Sequence, residues 1–257
     1  MTTPGPAGEE DLVWISHRGD TTSAPENTLE AYEAARDGGF CHLETDLRTT
    51  ADGVLVLHHD PDLTRTAGVE RKLASLSYAE LEKIPLLGGG RVPRLDEFLQ
   101  RFAALNWIFD MKPEQGLTTI DHLFQWIRRH DAREWIMAQA RFLFWDRSQQ
   151  NRFLELFPEA CCLPAQPACY RAGLACLAGL PGLGGIRAGA TYALPPRFLG
   201  LPIYRKSVIK GYHDRGGRVL AYLPDSEEAI REALAAGCDE FLLNGPLPGG
   251  AGRTPAG

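Results

Sequence analysis

Short apolar runs alternate with helix-like stretches along almost the whole chain, and few folds accept that pattern. The spacing predicts strands at 12–16, 42–47, 54–58, 106–111, 135–139, 160–163, 185–188, 218–223 and 240–244. Between them it predicts helices at 27–38, 77–84, 95–104, 119–130, 148–157, 168–178, 204–216 and 226–236. A strand followed by a helix, repeated, gives parallel strands with helices packed outside. At 257 residues the chain has the length of one α/β domain of the (β/α)8 TIM-barrel type. The expected domain covers 11–247, with disordered polar or Pro/Gly-rich tails at 1–10 and 248–257. Nine strand candidates exceed the eight places of such a barrel. The turn at Asp52-Gly53 is too short for a parallel crossover, so 54–58 is expected to leave the wall as an excursion. The stretch 160–201, rich in Ala, Gly, Pro, Leu and Cys, has the weakest periodicity.

Several of these runs end in residues that can do chemistry. Glu44 and Asp46 have the same strand parity, so their side chains point the same way while Thr45 points the other. Paired carboxylates repel unless a cation sits between them, and hard oxygen ligands suit Mg2+ or Ca2+. Asp110 ends the run Trp107-Ile108-Phe109 and shares a face with Lys112. His17 and His59 each follow an apolar run, where a group titrating near neutral pH can move a proton. His58 competes with His59, but Asp60 can orient the latter. Arg18 and Lys112 supply positive charge, and a guanidinium fork matches phosphate oxygens. Glu26 and Asn27 open a helix beside these groups. Asn27 suits a helix cap, while Glu26 can hold Arg18 or reach a metal. Read singly, each residue has a plain alternative: a solvated carboxylate, an internal ion pair, a structural histidine. His42, His122, His130 and His213 lack such company and read as structural or exposed. Together the cluster points to metal-assisted cleavage of a phosphate ester.

Composition excludes several classes. A net charge of −6 without any Lys/Arg-rich run argues against a nucleic-acid partner. No run of apolar residues is long enough for a membrane span, and Met1–Asp11 lacks the apolar segment of a signal peptide. A cytoplasmic location is therefore expected, with the six cysteines reduced and buried or half-buried as apolar filler. The spacing of Cys161, Cys162, Cys169 and Cys176 matches no paired zinc pattern. Phe142-Leu143-Phe144-Trp145 reads as core packing and a helix start, with transient lipid contact as the other reading. A Schiff-base or late phosphate-loop barrel finds no matching pattern in the Gly-rich stretch 182–189.

The ordered motifs resemble the glycerophosphodiester phosphodiesterase family. They are His17-Arg18-Gly19, Pro25-Glu26-Asn27-Thr28, Glu44-Thr45-Asp46, Asp52-Gly53, His59-Asp60, Arg65-Thr66 and Val92-Pro93-Arg94-Leu95-Asp96-Glu97. The match is dense over 12–112 and thin afterwards, returning at 218–246. The resemblance implies a TIM barrel that hydrolyses small phosphodiesters such as glycerophosphocholine to glycerol 3-phosphate and an alcohol. It implies Glu44, Asp46 and Asp110 as ligands of Mg2+ or Ca2+, and His17 and His59 as acid and base. Arg18 and Lys112 would hold phosphate, with Glu26 and Asn27 in support. The family route is described as attack by a glycerol hydroxyl, giving a cyclic phosphate that water opens; direct water attack is the alternative. Lysophospholipase D-type activity and a non-catalytic metal- or phosphate-binding relative are the other readings. Three departures stand out: Asp110-Met111-Lys112 where the family has Glu-x-Lys, Ala221–Asp225 where it has Trp followed by Thr-Val-Asn, and Asn244 where Thr-Asp is usual.

Overall fold

A computed structural model describes residues 12–198 and 200–248. The tail expected at 1–10, and the one at 248–257 beyond its first residue, lie outside the described residues. The described residues form two compact units: Ser16–Cys162 with 244–248, and Leu163–Leu243 with 12–15.

The larger unit takes up the end of β1 (Val13–His17), then α1 (Leu29–Asp37), β2 (His42–Thr49) and β3 (Leu55–Leu57). There follow β4 (Asp62–Leu63), α2 (Thr64–Ala67), β5 (Val69–Lys72), α3 (Tyr78–Leu81), α4 (Leu95–Arg101) and β6 (Asn106–Met111). It closes with α5 (Gly116–Arg129), α6 (Arg133–Gln139), β7 (Ala140–Phe144), α7 (Arg147–Leu156) and β8 (Cys161–Cys162). Strands β2, β6, β7 and β8 lie side by side and parallel. β2 is buried along nearly its whole length, as a strand covered on both faces must be.

β3 instead runs antiparallel to β2, which is the short return that the Asp52-Gly53 turn dictates. The excursion carries the antiparallel ribbon β4–β5 and its own apolar cluster around Val56, Leu63, Leu73, Leu76, Leu81 and Val92. The main core of this unit is aromatic: Tyr32, Phe98, Phe102, Trp107, Phe109, Phe142, Phe153 and Phe157 are all fully buried. α5 shows how the helices dock, turning Ile120, Leu123 and Ile127 inward at three- and four-residue steps.

The smaller unit contains α8 (Gln166–Leu177), β9 (Thr191–Leu194), the ribbon β10 (Arg197–Phe198) and β11 (Leu201–Pro202), and α9 (Lys206–His213). Then come β12 (Arg218–Tyr222), α10 (Glu227–Ala236) and β13 (Glu240–Leu243). Strands β9, β12 and β13 are parallel neighbours, and Trp14 stacks on Phe241 at 4.6 Å. Setting aside β3 and the two ribbons leaves eight strands among the described residues, the number a (β/α)8 barrel takes.

Three expectations are corrected. Residues 135–139 belong to helix α6, because Ile136 alone is buried and Trp135 packs edge-on against Trp107 at 5.2 Å; the strand is the next segment, β7. Residues 185–188 form a loop whose Ile186 covers Gly217, and the strand begins at Thr191, where β-branched and aromatic residues take over. Cys41 and Cys161 are exposed rather than apolar filler, while Cys169, Cys176 and Cys238 are buried.

The turn after β1 is set by Gly19, at φ +87°. A Cβ there would stand 2.6 Å from Ala31. Gly19→Ala is expected to destabilise the protein by about 3 kcal/mol, through combined strain and overpacking, with the loss read as a lower denaturant midpoint.

Candidate active site

The ends of β1, β2 and β6 deliver the chemistry. The parallel register sets Asp46 opposite Asp110, with Glu44 one pleat earlier on the same face. Glu44, Asp46 and Asp110 are all buried, and each offers an oxygen within 4.8 Å of the others'. Lys112 Nζ stands 2.7 Å from Asp46 Oδ1 and 2.6 Å from Asp110 Oδ2. Arg18 Nε lies 3.0 Å from Asp46 Oδ2, and its Nη1 lies 3.3 Å from Glu26 Oε1.

Three carboxylates against two cations leave one negative charge in excess. The excess falls on Glu44, whose Oε2 is buried without a hydrogen-bond partner. Burial, and then repulsion from Asp46 and Asp110, hold its carboxyl well above the usual range. For Asp46 burial acts the same way, but Lys112 and Arg18 outweigh it and hold the group ionised. A hard divalent cation fits this donor set: it would supply the charge Glu44 lacks and accept three oxygens already gathered. Cation plus fixed charges would then sum to one positive charge, matched by the single negative charge of a phosphodiester.

Asn27 ties the cluster to helix α1. Its Nδ2 donates to Asp46 Oδ2 at 2.7 Å, and its Oδ1 accepts from Tyr32 Oη at 2.7 Å and Thr45 Oγ1 at 3.0 Å. Arg18 and Asn27 both adopt positive φ, +61° and +58°, and the Asn27 amide donates to the Arg18 carbonyl. Strain of this kind in non-glycine residues gathers where function fixes the backbone. The reading of Asn27 as a helix cap is corrected: Thr28 caps α1, accepting from the Ala31 amide, and the positive φ at Asn27 sends its side chain to Asp46 instead. Asn27→Ala would remove the side-chain acceptor that Tyr32 and Thr45 share and the donor to Asp46. It is expected to cost about 2–3 kcal/mol and to weaken divalent-cation binding about tenfold or more, measured by chemical unfolding and calorimetric titration.

The two histidines occupy different settings. His17 is buried, with Nδ1 2.6 Å from Asn244 Oδ1 and Nε2 3.8 Å from Glu44 Oε2. Burial, and then Arg18, push it down to about 4, so the imidazole is neutral near pH 7. With Nδ1–H donated to the Asn244 carbonyl oxygen, Nε2 presents a bare lone pair. His59 is half-exposed, and its Nδ1 lies 2.7 Å from Asp60 Oδ1. Burial opposes ionisation of Asp60, but Arg65 and His59 override it and hold the carboxyl down at about 2. Arg65 bridges Asp60 at 2.6 Å and Glu26 at 2.6 Å, so His59, Asp60, Arg65, Glu26, Arg18 and Asp46 form one continuous chain of polar contacts. His58 faces away into the excursion, bonded to Thr66 Oγ1 at 2.8 Å and the Asp60 carbonyl at 2.9 Å.

The structure thus gathers Glu44, Asp46, Asp110, Lys112, Arg18, Glu26, Asn27 and His17 by direct contact, and His59 through Asp60 and Arg65. Two members were not read from the sequence. Asn244 is the first polar residue after the apolar run Phe241–Leu243, the same strand-end signal that marks His17. Trp145 was assigned to packing, yet it follows β7 and its Nε1 donates to Asp110 Oδ1 at 2.7 Å, its half-exposed ring 5.9 Å from Lys112 Nζ.

A family model described as the glycerophosphoryl diester phosphodiesterase family matches residues 17–153. The chain is 27% identical over 241 residues to a probable glycerophosphodiester phosphodiesterase 2 of Mycobacterium tuberculosis, covering 90% of this chain and 87% of that protein. Among solved structures it is similar to the glycerophosphoryl diester phosphodiesterase domain of another M. tuberculosis protein, with TM-score 0.77 and 15% identity over 92% of this chain and 97% of that one. A phosphodiesterase of Oleispira antarctica, solved with the product sn-glycerol-3-phosphate, gives TM-score 0.71 and 22% identity over 91% and 93%. These likenesses show the fold to be the (β/α)8 barrel expected from the alternation of strands and helices.

Proposed function

The chain belongs to the glycerophosphoryl diester phosphodiesterase family, and on that premise we propose that it hydrolyses small glycerophosphodiesters to glycerol 3-phosphate and an alcohol. Glu44, Asp46 and Asp110 would hold Mg2+ or Ca2+, and the observation that carries this reading is three buried carboxylates with oxygens within 4.8 Å of one another, of which the Glu44 Oε2 makes no hydrogen bond. When bound, such a cation polarises a phosphoryl oxygen and orients the ester. Arg18 and Lys112 bind the remaining phosphoryl oxygens, and Asn27 and Glu26 position Asp46 and Arg18. His17, neutral and bare at Nε2, takes the proton of the attacking hydroxyl. His59, held by Asp60 through Nδ1, returns a proton from Nε2 to the leaving alcohol. Among the described residues no helix is long and apolar enough to cross a membrane.

The test is a panel of glycerophosphocholine, glycerophosphoethanolamine, glycerophosphoinositol and lysophosphatidylcholine, with His17→Ala and His59→Ala beside the parent. Turnover of at least one glycerophosphodiester is expected, falling about 10²–10⁴-fold in each variant while divalent-cation binding persists. Preference for lysophosphatidylcholine would move the assignment to a lysophospholipase D. Full activity in both histidine variants would refute the acid–base pair.

A further inference from the structure

The smaller unit carries a surface that the catalytic chemistry does not use. Between Leu163 and His213 there is no Asp or Glu, whereas Arg171, Arg187, Arg197, Arg205, Lys206 and Lys210 all fall there, in a chain whose net charge is −6. The same stretch holds five of the nine exposed large apolar side chains among the described residues: Tyr170, Leu174, Leu180, Leu183 and Leu201. Two independent asymmetries, of charge and of exposed apolar surface, thus coincide.

Geometry joins part of this set into one patch. Tyr170 and Leu174 lie one turn apart on α8, 40% and 47% exposed. The Phe198 ring stands 5.0 Å from that of Tyr170. Phe198 is paired in register with Leu201 across the β10–β11 ribbon, so both side chains emerge on one face, and Leu201 is 53% exposed. The ribbon is braced from behind, the Ile203 amide donating to the Pro196 carbonyl and Tyr204 Oη to the Leu194 carbonyl. Arg197 on the ribbon and Arg171 on α8 are both exposed and belong to the same two elements, the Arg171 Nε donating to the Gly184 carbonyl.

We propose that this patch docks on an anionic phospholipid surface, the leucines and aromatic rings entering the interface and the arginines meeting headgroup phosphates. Exposed apolar side chains on a short braced ribbon and a helix, in a stretch with six cationic and no acidic side chains, complement such a surface in both respects. A second copy of the chain fits less well, since a two-fold contact would set this basic patch against itself. Because binding is read without turnover, the inference stands or falls apart from the catalytic assignment.

The experiment is co-sedimentation of the full chain with vesicles of phosphatidylcholine alone, or with about one third phosphatidylserine. About tenfold more binding to the anionic vesicles is expected, abolished at about 1 M salt and in both Leu174→Glu/Leu201→Glu and Arg197→Glu. Hydrolysis of a soluble diester and the melting temperature should be unchanged in these variants, which reports that they fold. Equal binding to both vesicles, or anionic binding that survives both variants, would overturn the proposal. So would light scattering that shows a dimer broken by Leu174→Glu/Leu201→Glu, because the patch would then be covered by a second copy.

Discussion

Glu44→Gln is expected to raise the melting temperature in chelator while abolishing hydrolysis. The substitution keeps the shape of the side chain and removes a buried charge that has no hydrogen-bond partner at Oε2. Relief of that charge is expected to stabilise the protein by about 1–2 kcal/mol, or about 2–5 °C for a chain of this size. The sign with pH follows from the direction of the shift. The folded-state carboxyl titrates well above its ordinary value of 4.5, so wild-type stability is full below that value and declines as pH rises through the raised one. The advantage of Gln should therefore grow with pH. Added Mg2+ or Ca2+ should invert the order, stabilising the wild type and leaving the variant unmoved. Turnover should fall about a thousandfold, the scale of several kcal/mol that a positioned cation supplies. A variant no more stable than wild type in chelator at every pH would show that the Glu44 charge is already compensated.

Lys112→Met should do the opposite to stability. Lys112 is nearly fully buried, as are the two carboxylates it touches at 2.7 and 2.6 Å. Burial disfavours its ammonium, but Asp46 and Asp110 outweigh burial and keep it charged. Removing one partner of a buried ion pair leaves the other charges uncompensated, at a cost of about 3–5 kcal/mol. A fall in melting temperature of about 10 °C is expected in chelator. Added divalent cation should restore part of that loss, because it neutralises the same oxygens, but on the proposed role of Lys112 in holding phosphate it should not restore turnover. Restoration of turnover by cation alone would mean that Lys112 only balances charge.

Much of this arrangement is legible in the sequence, and the reason is periodicity. Glu44 and Asp46 had to share a face because strand side chains alternate, and so did Asp110 and Lys112. What alternation cannot give is register between strands. That Asp46 meets Asp110 across β2 and β6, so that Lys112 bridges both, depends on hydrogen-bond pairing between segments about 60 residues apart. Asn27 reads from sequence both as a cap and as support for the site, with Thr28 an equally good cap beside it, and only the positive φ at Asn27 decides between the two roles. Trp145 was hidden by its company: after Phe142-Leu143-Phe144 it looks like core, and the misplaced strand at 135–139 shifted the strand end away from it. The excursion at 54–58 was foreseen because a two-residue turn permits only one strand direction. The stretch 160–201 resisted reading because few charged residues break it, leaving no contrast between a buried and a solvated face.

The measurement that tests the central claim most directly is release of glycerol 3-phosphate from glycerophosphocholine by protein stripped with chelator, then titrated with Mg2+ or Ca2+. The account predicts negligible release by the stripped protein, saturable recovery on adding cation, and no recovery in Glu44→Gln. Undiminished release by stripped protein, or full recovery in Glu44→Gln, would contradict it.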